Sequence, residues 1–195
     1  MSHPNPLIVM ALPQESRRKL EHAGADVLYT GVGKVNAATS LTRRLTEIRC
    51  ARQPLPLVVN MGTAGSRTLA AHTVVACNRF AQRDMDVSGL GFPIGATPFD
   101  PTPAIIEFPA VFDDLPQMLC STADSFATHR HAVEGDVVDM EAFALARVCV
   151  AESARFACLK YVTDGADGDS ARHWEAALEA ASDAFASAFS AWLRA

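Results

Sequence analysis

Short runs of apolar residues alternate with polar, helix-like stretches through most of the chain. Residues 7–11 read as a buried strand and 14–22 as a polar helix. A second strand over 26–30 runs into the turn Gly31-Val32-Gly33, which opens a helix reaching about residue 49. A third strand, 57–61, ends in Gly62-Thr63-Ala64-Gly65, and 73–77 reads as a fourth. Near-continuous apolar strands separated by helices predict an α/β fold with a central mixed, mostly parallel sheet flanked by helices.

Residues 84–109 are rich in Gly and Pro and lack helical periodicity. Their length predicts a functional loop or an irregular insertion. Strands resume at 118–122, 136–140 and 155–163. The helix starting near Glu141 is apolar on almost every side (Ala142, Phe143, Leu145, Ala146, Val148, Cys149, Val150), which places it deep in the core. Trp174, Leu178, Ala181, Phe185, Phe189 and Trp192 recur at spacings near three and four and predict an amphipathic terminal helix. No internal repeat or linker divides residues 1–195, so a single domain is expected.

Composition adds mainly exclusions. The formal net charge is −5, and no Lys/Arg run marks a nucleic-acid footprint; Arg17-Arg18 and Arg43-Arg44 fall in helix-like segments with solvated faces. The five cysteines are widely spaced without a C-x-x-C pair and read as small core residues in a reducing, cytoplasmic setting. Neither a signal peptide nor an apolar run long enough to span a bilayer is evident. The six histidines show no metal-ligand spacing, so neither a metal nor another cofactor is expected.

Candidate chemistry gathers where apolar strands end. Glu15 follows the first strand, Thr63 lies in the turn after the third, Met140-Glu141 closes 136–140, and Asp164 and Asp167 follow 155–163. Ligands of α/β sheets collect at the carboxyl ends of strands. If these strands are neighbours and co-directional, three carboxyls share one pocket, where different surroundings can make one an acid and another a base. Each residue also has a structural reading. Glu15 suits the first turn of a helix, Glu141 a helix cap, and Asp164 a turn within Asp164-Gly165-Ala166-Asp167-Gly168.

Six segments, taken in order, carry a more specific resemblance: Ala11-Leu12-Pro13-Gln14-Glu15, Thr30-Gly31-Val32-Gly33-Lys34-Val35-Asn36-Ala37-Ala38, Asn60-Met61-Gly62-Thr63-Ala64-Gly65, Asp84-Met85-Asp86-Val87, Val138-Asp139-Met140-Glu141-Ala142 and Thr163-Asp164-Gly165-Ala166-Asp167. Together they resemble the nucleoside phosphorylase and nucleosidase superfamily, especially 5′-methylthioadenosine/S-adenosylhomocysteine nucleosidase. The resemblance implies hydrolysis of the N-glycosidic bond of a purine nucleoside or a 5′-substituted (thio)adenosine, releasing the base. It implies Asp164 as the acid at purine N7, Glu141 as acceptor for ribose hydroxyls, Met140 beside the sugar, and Glu15 as the carboxylate orienting the attacking water. Phe126 matches an aromatic stacked on the base, the Ala127 backbone its edge contact, and Thr63 a serine of the family. Leu12, Val32 and Trp174 match the pocket for the 5′ group. Val87, Leu90, Phe92 and Pro98 match positions that reach a neighbouring subunit, implying a homodimer.

Phosphorylases of the superfamily carry arginines just before the glycine turn and in an N-terminal loop. Here those places hold Asn60 and residues 10–14, which favours water over phosphate as nucleophile. The chain departs from the family in lacking a hairpin after the first helix, in a trimmed stretch between Phe126 and Asp139, and in Lys160 where arginine is common. A phosphate-dependent phosphorylase and a nucleoside-binding relative without turnover are the rival readings.

Overall fold

A computed structural model of the chain describes residues 5–125, 133–164 and 170–193, the side chains of residue 164 and residues 170–173 excepted. In chain order the elements are β1 (Leu7–Met10), α1 (Pro13–Ser16), α2 (Lys19–His22), β2 (Asp26–Tyr29), α3 (Lys34–Cys50), β3 (Val58–Gly65), β4 (Val74–Gln82), β5 (Ile105–Glu107), β6 (Gln117–Thr122), β7 (Val137–Asp139), α4 (Ala142–Glu152), β8 (Phe156–Asp164) and α5 (Ser170–Trp192).

The predicted α/β architecture is the observed one: a mixed, mostly parallel sheet with helices on both faces. β1 lies parallel between β2 and β3, and β8 runs parallel to β3. β6 lies parallel between β4 and β7. Antiparallel pairing joins the two sets, β8 with β4 and β3 with β7, so strands β3, β8, β4, β6 and β7 close a ring. Expectation and structure differ on direction here, because β7 runs opposite to β3. The candidate residues still converge, since the two strands meet at their carboxyl ends, Gly65 opposite Val138. Around that point Thr122 pairs with Asp139 and Gly65 with Asp164.

Period-two alternation sends successive strand residues to opposite faces. Leu7, Val9 and Val58 pack with Leu41 and Leu45 of α3 and with nearly the whole of α4. Ile8, Met10, Val59 and Met61 pack with Ala177, Ala181, Phe185 and Phe189 of α5. Four of the five cysteines lie in these cores, while Cys50 is exposed.

Three local expectations change. The polar helix over 14–22 is broken at Arg17 and Arg18, whose φ angles of 48° and 61° interrupt it. Buried Ser16 is the cause: its hydroxyl bonds Glu21 and the Tyr29 hydroxyl, pulling the chain inward between two single turns. The fourth strand continues past Cys77 to Gln82, with a register shift around Asn78, because hydrogen bonds to β6 carry it through the polar Asn78-Arg79 pair. The Gly/Pro-rich stretch contains the edge strand β5, antiparallel to β4, and a 3-10 turn at Ser88–Leu90. An apolar run as short as Ile105-Ile106 carries no periodicity to read.

β7 is held against β6 by close backbone approach at Gly135, where an added Cβ would lie 2.7 Å from Leu119 O and 2.8 Å from Ser121 Cβ. We expect Gly135→Ala to lower stability by about 1–3 kcal/mol, the usual penalty of overpacking. The midpoint of urea unfolding checks this, and an unchanged midpoint would contradict the approach of the two strands.

Candidate active site

The carboxyl ends of β1, β3, β4, β7 and β8 surround a cavity of about 220 Å³. Leu12, Glu15, Val32, Thr63, Met140, Glu141 and Trp174, all singled out in the sequence, line it together. The backbone of Asp164 closes β8 at the same rim, opposite Gly65, while its side chain lies outside the described residues. Phe126 and Ala127 also lie outside the described residues.

Glu15 is buried, 3% exposed, and both carboxylate oxygens are engaged. Oε2 accepts the Leu12 N–H at 3.2 Å, so the residue does close the first turn of α1. Oε1 reaches across the sheet end and accepts the Thr63 N–H at 2.9 Å and the Thr63 hydroxyl at 2.8 Å. The capping role and the place in the cavity are therefore compatible. Gly62 lies beside both groups: a Cβ there would sit in ordinary contact, 3.5 Å from Glu15 Oε1 and 3.4 Å from Lys160 Nζ.

Glu141 occupies the N-cap position of α4 without capping it. Asp139, two residues earlier, accepts the Ala142 N–H at 2.8 Å in its place. The Glu141 carboxylate extends instead to the glycine turn, where it accepts the Gly33 N–H at 2.8 Å. That turn needs glycine: Gly33 has φ 94°, and a Cβ would lie 3.1 Å from Asp124 Oδ1.

Beneath the cavity Lys160 donates to Asp139 at 2.8 Å, both side chains being 1% exposed. Burial by itself pushes the Asp139 carboxyl up, but the Lys160 charge and bonds from Lys160, Thr122 and Ala142 N–H hold it below the ordinary range. Burial likewise pulls Lys160 down, and Asp139 outweighs it, so the lysine stays charged. Among the described residues no cation pairs directly with Glu141. Burial first and the Asp139 charge second push it up to about 7, against the opposing effects of Lys160 and the Gly33 N–H.

Arg83, absent from the sequence-based set, also lines the cavity, and Asp84 follows it just outside. Arg83, 3% exposed, donates from Nη1 to the carbonyls of Ser121 at 2.6 Å and Asp139 at 2.9 Å, and from Nη2 to that of Ser125 at 2.7 Å. Asp84 accepts the Asp124 N–H at 3.1 Å and the Lys34 ammonium at 2.6 Å. Consecutive residues after β4 thus grip consecutive residues after β6. Their signal in the sequence was an arginine directly after an apolar strand, hidden because that strand was read as ending at Cys77. Among the described residues no group of three or more His, Cys, Asp or Glu side chains is placed to hold a metal ion. Among them also, no helix is long and apolar enough to cross a membrane.

Between the ordinary value of 4.5 and about 7, the folded chain keeps on Glu141 a proton that the unfolded chain has released. Glu141 therefore makes stability fall as pH rises through that window. Relative to Glu141→Gln, the unaltered chain should lose about 2 kcal/mol between about pH 5 and about pH 7.5. Urea unfolding of both proteins at the two pH values measures the difference; parallel behaviour would contradict the burial of this carboxyl.

No protein-family model matches the chain. In sequence it is similar to the 5′-methylthioadenosine/S-adenosylhomocysteine nucleosidase of Marinomonas sp., at 31% identity over 183 residues covering 82% of this chain and 77% of that protein. The protein of the same name from Geobacillus kaustophilus is also 31% identical, with 89% and 80% covered. In fold the chain is similar to the Streptococcus pneumoniae MTA/SAH nucleosidase solved with 8-aminoadenine, with a TM-score of 0.84, 21% identity, and 98% and 100% of the two chains covered. A futalosine hydrolase mutant of Helicobacter pylori superposes with a TM-score of 0.82 at 18% identity, over 98% and 99% of the chains. With 31% identity over most of both chains, the chain belongs to the 5′-methylthioadenosine/S-adenosylhomocysteine nucleosidase family.

Proposed function

We infer that the protein hydrolyses the N-glycosidic bond of a 5′-substituted adenosine or related purine nucleoside, releasing the free base. The observation that carries this reading is the sharing of one cavity by Glu15, Thr63, Met140 and Glu141 with an apolar end at Leu12, Val32 and Trp174. The leaving purine gathers negative charge while the ribose becomes oxocarbenium-like, so an acid is needed at the base and a carboxylate at the water. Glu15, oriented by Thr63, takes the water. Glu141 accepts the ribose hydroxyls, which favour its ionised form. Asp164 protonates the base at N7, a role that rests on the likeness to the family, as do those of Phe126 and Ala127 at the base. The apolar end receives the 5′ substituent.

Among the described residues, Lys160 and Arg83 are the cations that line the cavity. Lys160 is paired with Asp139, and the Arg83 guanidinium with backbone carbonyls. Asn60, in the place of a phosphorylase arginine, donates its amide to Val9 O. Neither the Asn60 amide nor the paired Lys160 is thus free to hold a phosphate dianion, which supports water as the nucleophile.

A second copy of the chain is the partner we propose. Leu90 and Phe99, 76% and 95% exposed, lie in the stretch that also holds Val87, Phe92 and Pro98. Free thiols at Cys77, Cys120, Cys149 and Cys158 suit a cytoplasmic setting.

A panel of purine nucleosides, incubated with and without phosphate, tests the activity. Free base should appear at a rate that added phosphate leaves unchanged. Asp164→Asn should reduce kcat by about 100-fold or more with the unfolding midpoint retained, since an amide delivers no proton. Phosphate dependence, or full activity in that variant, would overturn the assignment. Sedimentation velocity should give twice the chain mass, and Leu90→Asp together with Phe99→Asp should give a monomer; a monomeric unaltered chain would refute the partner.

A further inference from the structure

Trp174 enters the cavity from α5 and does more there than its apolar character implies. Its indole Nε1–H donates to Thr63 Oγ1 at 2.9 Å. Thr63 Oγ1 is in turn 2.8 Å from Glu15 Oε1. The direction of this chain follows from the proton inventory. An indole nitrogen can only donate and an ionised carboxylate can only accept. The one hydroxyl proton of Thr63 therefore points at Glu15, while the indole occupies a lone pair of the same oxygen. A hydroxyl that accepts a bond also becomes a better donor, more so in a buried site.

We propose that Trp174 is a positioning residue for Glu15: its N–H locks the Thr63 hydroxyl as a donor and thereby orients the carboxylate that handles the attacking water. This rests on the hydrolytic role given to Glu15 above, and it deepens that role. The placement of the indole is built into the packing. Ala177 and Ala181, one and two turns beyond Trp174 on α5, are buried in the same core as Leu20 of α2. At the surface, Glu179 pairs with Arg17 at 3.5 Å and Asp183 with Lys19 at 2.5 Å. Glu15 and Trp174 thus stand on segments that are anchored to each other, and Thr63, at the end of β3, joins them inside the cavity.

An aromatic wall without a donor would serve a 5′ substituent equally well. The wall and the donor therefore make different predictions. If only the wall matters, Trp174→Phe changes KM for a 5′-alkylthio nucleoside and spares one with a 5′-hydroxyl. If the donor matters, the loss falls on kcat and is the same for both substrates.

The test measures kcat and KM for 5′-methylthioadenosine and adenosine in the unaltered enzyme, Trp174→Phe, Thr63→Val, the double variant, and Thr63→Ser with and without Trp174→Phe. A further protein carries benzothienylalanine at 174, which keeps the shape of the ring and replaces the N–H by sulfur, so the comparison stands even if phenylalanine disturbs the fold. Loss of one hydrogen bond should lower kcat about 3- to 10-fold on both nucleosides for either replacement of Trp174. The same loss should recur in the Thr63→Ser background and vanish in the Thr63→Val background, because two residues acting through one contact are not additive. Unchanged kcat, a loss confined to the alkylthio substrate, or losses that multiply with Thr63→Val would each overturn the proposal. Failure of the unaltered enzyme to release base from either nucleoside would instead overturn the hydrolytic reading.

Discussion

A lysine and an aspartate removed from water beneath the cavity constrain nearly everything above them. Lys160 belongs to β8 and Asp139 to β7, and β3 lies between these strands. Gly62 of β3 lies beside the pair, and a Cβ there would be in ordinary contact with Lys160 Nζ at 3.4 Å. Burying two charges is unfavourable unless each finds the other in good geometry with further hydrogen bonds, and Asp139 obtains these from Thr122 and the Ala142 N–H. The pair therefore ties the end of β7 to the middle of β8, and with Asp139 also capping α4 it fixes where the cavity floor lies. Because Asp139 does the capping, Glu141 is released from the helix terminus and extends to the glycine turn.

The same arrangement separates the carboxyls chemically. Asp139 keeps its charge through direct contact with Lys160. Glu141, also buried and bonded among the described residues to the Gly33 N–H, is pushed up to about 7. Neighbouring acids in one cavity thus hold different protonation states near neutrality, a division of labour that acid–base chemistry needs. Lysine also suits this position in a way that differs from arginine. It is a compact point charge with rotatable donors, so it satisfies one carboxylate without demanding the planar, bidentate partner a guanidinium requires. The guanidinium of this cavity, Arg83, bonds three carbonyls through Nη1 and Nη2 and serves as a brace.

Around that floor the acids and their supports come from elements far apart in the chain, and each is held from two sides. Glu15 closes its own helical turn and receives Thr63. Glu141 is carried by β7 and received by the turn before α3. Preorganisation of this kind keeps reactive groups in place without substrate, so that little of the binding energy is spent on ordering them.

The amino-acid sequence by itself determined the alternation of apolar strands and helices, the buried character of α4, the amphipathic α5 and the set Leu12, Glu15, Val32, Thr63, Met140, Glu141 and Trp174 that proves to line one cavity. The elements were legible because period is a local property of a chain, and the lining set because the ordered segments resemble those of a known family. Long-range pairing is not local, and the tertiary structure alone decided it. It reversed β7 against β3 yet crossed them at their carboxyl ends, carried β4 through Asn78 and Arg79 to present Arg83, and broke the first helix at Arg17 through the buried Ser16 hydroxyl. It also joined Asp139 to Lys160 and the Trp174 N–H to Thr63. A polar side chain acquires its role from partners far along the chain, over a hundred residues away for Trp174 and Thr63, and nothing in its own neighbourhood of the sequence records them.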